Sequence, residues 1–356
     1  MSSSRMPLVS VVTPVYNGLP HLVECIESVL TQTYQNWEYV IANNCSTDGT
    51  LETVLRYARK DARIRVHTND RLVKMAPNHD IALSLISPRT EYCKIVHADD
   101  FLFPECLERM VAVATANPSV GVVGAYRLDD RFVNLDGLPY PSTVVSGREI
   151  RRRSLLEGLF VFGSPSSLLI RADLIRARNV FMDDDTFFMH GDTAACHEML
   201  DTTDFGFVHQ VLTFTRRHAA AVDTPRAISL NSYMAAHGMI LKRFGRQILN
   251  ETEYQGCLDS SQRQYYSFLG RSVLDRKKPD FWAFHAQALD AIGLPVNYWR
   301  LARAAFSENR KGCLLHPIRT LSCLSEALRG LRTHNESSPV PAIKPETSSR
   351  HALGSR

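Results

Sequence analysis

The chain has 356 residues, 44% of them hydrophobic and 22% charged. At about 150 residues per domain this is room for roughly two domains with a sizeable buried core, and the composition excludes a wholly disordered, collagen-like or coiled-coil chain. Lys and Arg number 41 against 37 Asp and Glu, a formal charge of +4; that is too mild to argue for a nucleic-acid partner, though it leaves room for a local basic patch.

Eight cysteines stand at 25, 45, 93, 106, 196, 257, 313 and 323, without a CxxC pair or a Cys/His zinc spacing. They are no disulfide framework, and a reducing, cytosolic compartment is expected. The N-terminus runs straight into an apolar strand with no signal-peptide h-region. Leu155 to Ile170, the most apolar later stretch, is broken by Glu157, Gly158, Gly163, Ser164 and Pro165, so nothing reaches the ~18 apolar residues of a membrane span. A soluble, cytoplasmic protein, at most peripheral at the inner face of a membrane, is expected.

In chain order, Leu8 to Thr13 is a β-rich run predicted to end at Pro14, and Leu22, Cys25, Ile26, Val29 and Leu30 mark one helix face. Trp37 to Ala42 predicts a second strand that empties into the turn formers from Asn43 to Gly49. A helix over 51–58, a strand over 64–67, a helix over about 78–86 and a strand over 92–96 follow. Pro104 opens another helix, and 120–125 is strand-like again. Such alternation predicts an α/β fold with a mostly parallel sheet covered by helices on both faces, whose ligands bind at the carboxyl ends of the strands. The polar clusters at 13–17, 43–48 and 97–100 all fall at such ends.

Further on, Ser146 and Glu149 form a capping box before a helix to about 157. A strand is expected over 166–170, a short helix opening at Asp192, and two short strands over 205–209 and 211–215. Beyond 224 only helical patterns remain, to about 332. The expected organisation is an α/β domain over 1–223, a helical region over 224–332 and a disordered tail over 333–356.

Asp99 and Asp100, at the end of a strand, suit a hard divalent cation that already holds a diphosphate, although an Asp pair is more often a capped turn. Asp192 is either a cap on the helix dipole or a general base, at even odds. His218 follows Arg216 and Arg217, either as a basic surface loop or as a metal ligand beside phosphate-pairing guanidinium groups. The runs Arg151–Arg153 and Asp183–Asp185 are expected to be a solvated helix face and an exposed loop. No GxGxxG, Walker A, G-x-S-x-G or HExxH motif is present.

Taken together, Val9-Ser10-Val11-Val12-Thr13-Pro14-Val15-Tyr16-Asn17, Ser28 to Tyr34, Trp37 to Ile41 and Ser46-Thr47-Asp48-Gly49-Thr50 resemble the opening of a family 2 glycosyltransferase, and Asp99-Asp100 falls at its DXD element. The resemblance covers roughly residues 8–220. It implies a GT-A fold, a nucleotide-sugar donor, a divalent metal (Mg²⁺ or Mn²⁺) and an inverting displacement onto a hydroxyl of a glycan or glycolipid acceptor. By position, Thr13, Pro14, Tyr16, Asn43, Asn44, His97, Asp99, Arg216 and Arg217 would meet the donor. Asp99, Asp100 and His218 would hold the metal, Asp192 would be the base, and Gly163-Ser164 would line the acceptor side.

Five positions depart from the family pattern: Asn43-Asn44 replaces an acidic pair, His97 the first acid of the DXD element, Gly191 a glutamate, and Ala194 an acid. They motivate an alternative, a non-catalytic nucleotide-sugar or carbohydrate-binding protein on the same scaffold. Nucleotidyl transfer is disfavoured by the lack of a glycine-rich phosphate loop. Basic residues such as Lys242, Arg243, Arg300 and Arg303 among aromatics suggest weak contact with anionic lipid, with an ordinary solvated helical face at least as well supported.

Overall fold

Runs of apolar residues that are buried on both sides build the sheet. The strands are β1 (Val9–Val15), β2 (Trp37–Asn43), β3 (Ile64–Thr68), β4 (Tyr92–Ile95), β5 (Phe101–Leu102), β6 (Val120–Asp129), β7 (Phe132–Asn134), β8 (Val144–Val145), β9 (Leu169–Arg171) and β10 (Asp204–Thr215). The computed structural model describes residues 6–19, 21–218, 224–275, 277–310 and 317–332. The order across the sheet is β3-β2-β1-β4-β9-β6-β10-β5, with β7 on β6 and β8 on β10. The long pairings, β1 with β2 and β4, β2 with β3, and β6 with β10, are parallel. Short β9 enters antiparallel between β4 and β6.

Both faces are covered, as the sequence predicts. Val9, Val11, Tyr39 and Ile41 point into one core with α1 (Leu22–Leu30), α2 (Thr50–Ala58) and α4 (Cys106–Ala116). The alternate residues Val12, Val40 and Ala42 face a second core with α3 (Met75–Ser84), α5 (Gly147–Glu157), α6 (Ala172–Arg176) and α7 (Gly191–Met199). Successive strand side chains point to opposite faces, so a strand packed on both sides reads as a continuous apolar run.

Several boundaries differ from expectation. Pro14 lies inside β1, opposite Ala42, so that strand runs on to Val15. Helix α3 begins three residues early because Pro77 falls in its first turn, where a missing N–H is no loss. The two strands expected over 205–215 are one, β10, with register shifts around His209 and Gln210. Ser146 caps α5 as predicted, its Oγ accepting from the Glu149 amide at 3.2 Å.

The chain divides into two units, Met1–Gln264 and Tyr265–Arg356. The first also contains α8 (Thr224–Leu230), α9 (Ser232–Ile248) and the first part of α10 (Glu251–Ser272). In the second, α11 (Pro279–Ile292), α12 (Tyr298–Glu308) and α13 (Pro317–Arg332) bury Tyr265, Leu269, Trp282, Leu289, Leu301 and Leu331. No described helix is long and apolar enough to cross a membrane. The seven described cysteines are all free. Cys313 and the tail expected from 333 lie outside the described residues.

Candidate active site

The parallel register brings the ends of β1, β2 and β4 to one edge, with Val15 opposite Asn43 and Val12 opposite Ile95. The loops beyond them are clipped together. The amides of Asn17 and Leu19 donate to Ser46 Oγ (2.9 Å) and Asp48 Oδ2 (3.0 Å), and Thr47 N donates to Asn17 Oδ1 (2.8 Å). The turn residues of the amino-terminal pattern therefore shape the rim.

Several expected donor contacts are occupied within the protein. Thr13 is fully buried, its hydroxyl donating to the Val96 carbonyl at 2.8 Å. Pro14 is buried beside it, while Tyr16 is 45% exposed at the rim. Asn43 Oδ1 accepts from Ser46 N at 3.2 Å. Asn44 is committed entirely to the loop after β3, accepting from Val73 N and Asn69 Nδ2 (both 3.0 Å) and donating to Val73 O (2.8 Å).

The segment after β4 holds the charged cluster. Lys94, fully buried, donates to Ser166 O (2.8 Å), and Ser166 Oγ accepts from His97 N (3.0 Å). This fixes the start of the segment against the 165–167 turn, which follows the expected Gly163-Ser164. Asp100 is 3% exposed; its Oδ1 accepts from Arg216 N at 3.1 Å, and its Oδ2 has no hydrogen-bond partner. Burial pushes the Asp100 carboxyl up, while the His97 imidazole pulls it back. Asp99 Oδ2 lies 2.9 Å from His218 Nε2. Ligand atoms of His97, Asp99 and Asp100 all lie within 4.8 Å of one another. Two carboxylates, one with an unmet buried oxygen, and an imidazole fit a divalent cation.

The arginines expected here are present and paired. Arg216 donates to the Asp99 carbonyl (3.1 Å) and forms an ion pair with Glu24. Arg217 grips Asp129 through two bonds, at 2.5 and 2.7 Å. Arg127 on β6, which carries no local sequence signal, is 3% exposed and also reaches Asp129 (3.2 Å). Burial lowers its pKa, whereas Asp129, Asp100 and Asp192 raise it.

Asp192 sits in the first turn of α7. Burial pushes its carboxyl up, and the Thr193 amide and the nearby His97 imidazole partly offset this. Asp192, His97, Asp100 and Arg127 thus share one electrostatic neighbourhood. Two consecutive non-glycine residues before α7, Phe188 (φ 52°) and Met189 (φ 67°), adopt left-handed backbone. Gly191 has no room for a side chain, since a Cβ there would meet Asp183 N at 2.5 Å. Ala194 is 2% exposed in an apolar cluster with Phe187 and Leu241. Packing therefore accounts for both departures from an acidic pattern. Asp184, in the loop expected to be merely exposed, accepts from Gly191 N at 3.0 Å and anchors the helix.

Residues 10–178 match the model of Glycosyl transferase family 2. The chain carries a family 2 glycosyltransferase domain. A putative glycosyltransferase, EpsE of Bacillus subtilis, is 38% identical to it over 153 residues, 40% of this chain and 52% of that relative. The chain spans about half the length of that curated relative and 14% of another, longer one. Among solved structures, the family 2 domain and the helices after it share their fold with S. aureus TarS 1–349 in complex with UDP, at TM-score 0.59 and 18% identity over 92% of this chain and 90% of that one. A mannosyltransferase of Pyrobaculum calidifontis in complex with GDP-Man and Mn²⁺ aligns with TM-score 0.51 and 16% identity over 93% of this chain and 88% of that one.

Proposed function

We propose that the chain is a metal-dependent, inverting glycosyltransferase that moves a sugar from a nucleoside-diphosphate donor to a hydroxyl of a glycan or glycolipid in surface polysaccharide assembly. One observation carries the reading: the buried guanidinium of Arg127 feels both Asp100 and Asp192, and the buried Asp192 also feels His97, next to the Asp99–Asp100 element. The relatives add support, since one is a putative teichuronic acid biosynthesis glycosyltransferase of Bacillus subtilis, 45% identical over 60 residues, 17% of this chain and 24% of that protein. The solved neighbours hold UDP or GDP-Man with Mn²⁺.

In this reading Asp99, Asp100 and His218 hold the cation, Mg²⁺ or Mn²⁺, which when bound offsets the charge that grows on the leaving diphosphate. Tyr16 and Asn43 border the nucleotide, and Arg216 and Arg217 exchange their carboxylate partners for phosphate. Asp192 takes the acceptor proton. A carboxyl pushed up by burial is a stronger base than an ordinary aspartate. Attack from the face opposite the diphosphate inverts the anomeric centre. Trp299 (87% exposed) and Phe306 (59%) on α12, beside Arg300 and Arg303, support weak contact with an anionic membrane at its cytoplasmic face.

The test incubates purified protein and MnCl₂ or MgCl₂ with a panel of UDP- and GDP-sugars and acceptor extracts. Nucleoside diphosphate should be released only when acceptor is present, and EDTA should stop it. Tight donor binding without turnover against every acceptor would instead favour a binding protein.

A further inference from the structure

Two histidines continue the cation cluster into the protein. His79, on α3, is 3% exposed. Its Nδ1 lies 3.0 Å from the Met75 carbonyl and its Nε2 lies 3.1 Å from Nε2 of His97. A carbonyl can only accept, so the proton of His79 is on Nδ1. The ring is buried with no carboxylate among its hydrogen-bond partners, which disfavours a second proton. Nε2 of His79 is therefore an acceptor, and the nitrogen facing it, Nε2 of His97, is the donor.

With Nε2 of His97 engaged by His79, the ring nitrogen turned toward the carboxylates is Nδ1. That atom faces Asp100 Oδ2 across 3.7 Å, too far for a hydrogen bond. The facing oxygen belongs to the 3%-exposed carboxyl and has no other partner. Nδ1 and Oδ2 stand at a spacing that two ligands each ~2.1 Å from one ion can span.

We propose that His97 binds the cation through Nδ1, that His79 is the positioning residue fixing its tautomer, and that the resulting nitrogen-containing set favours Mn²⁺ or Co²⁺ over Mg²⁺. This rests on the reading of Asp99 and Asp100 as a cation site. Imidazole favours the later first-row divalent metals, whereas Mg²⁺ prefers oxygen alone. The relay Met75 O, His79, His97 is the kind of outer partner that fixes a metal-binding imidazole, and losing one weakens affinity by about 10–100-fold.

The experiment uses the full chain with MnCl₂, with and without UDP. In a His218→Asn background, pulsed electron paramagnetic resonance should show ¹⁴N coupling to Mn²⁺ that disappears when His97→Asp is added. By calorimetry, His97→Asp should narrow the Mn²⁺-to-Mg²⁺ affinity ratio at least tenfold, and His79→Phe should weaken Mn²⁺ about 10–100-fold. Without metal or substitution, long-range ¹⁵N spectra should show His79 as the Nδ1–H and His97 as the Nε2–H tautomer. Mn²⁺ bound without ¹⁴N coupling, or a His97 Nδ1–H tautomer, overturns the proposal while leaving the cation site intact. No Mn²⁺ binding by the wild type, or binding unaffected by Asp99→Asn, overturns the cation site itself.

Discussion

His218 Nε2 stands 2.9 Å from Asp99 Oδ2 and joins chain positions 119 residues apart. The contact fastens the segment after β10 to the segment after β4, and Arg216 adds two more bonds across the same gap, to Asp100 Oδ1 and the Asp99 carbonyl. His218→Asn should weaken Mn²⁺–UDP binding by about tenfold, read by calorimetry. The site is partly exposed, so the melting temperature should stay within a few degrees of wild type. A loss of stability with unchanged affinity would make His218 a purely structural clasp.

Asp192→Asn keeps the shape of the side chain and removes its basicity. Turnover should fall by about 10²–10⁴-fold, with donor affinity nearly unchanged. Since burial raises the Asp192 carboxyl, the acid limb of the wild-type rate profile should lie above the ~3.9 of an ordinary aspartate. Full activity in the Asn variant would remove the base assignment.

Strands β1, β2 and β6 were legible because burial on both faces leaves long, largely apolar runs, whereas half-buried β3 shows only the alternation of Ile64 and Val66 and β4 carries the buried Lys94. The helices were legible from their 3.6-residue spacing. Strands β5, β7 and β8, of two or three residues each, are too short to carry a period. The insertion of β9 depends on pairing with β4 and β6, far away in sequence. In the site, Asp99, Asp100, Asp192 and His218 stand out as polar residues at the ends of elements. His79 sits inside a helix and Arg127 inside a strand; the tertiary approach of His97 gives the first its meaning, and that of Arg217 to Asp129, two residues along the same strand as Arg127, gives the second.

Burial lowers both His79 and His197 to about 3. Each ring is neutral in the folded chain while the unfolded chain takes up a proton near 6.5. Their contribution to stability is complete above pH 6.5 and is lost as pH falls from there toward 3, because the unfolded state binds more protons in that window. Each adds a slope of up to about 1.4 kcal/mol per pH unit. His197 stacks on Phe244, with rings 5.6 Å apart and 8° from parallel, so phenylalanine can replace it. Denaturant unfolding of His197→Phe at several pH values should show a shallower decline between pH 6 and 4. An unchanged slope would mean that His197 titrates normally.

Gly191 departs from the acidic pattern of family 2 glycosyltransferases, and its neighbours show why acid cannot simply be restored. A Cβ would come within 2.5 Å of Asp183 N and 2.9 Å of Asp183 C and Met182 C. These are backbone atoms, in the loop whose Asp184 carboxylate holds the Gly191 amide. Any side chain must push α7 away from that loop and carry Asp192 with it. Gly191→Ala should therefore destabilise the fold by about 1–3 kcal/mol and lower turnover at least tenfold, since small displacements of a catalytic group are costly. Gly191→Glu should be worse on both measures. Thermal melts and initial rates on the two variants check this, and a Glu variant more active than wild type would show that the backbone yields and that the missing acid, rather than space, limits the site.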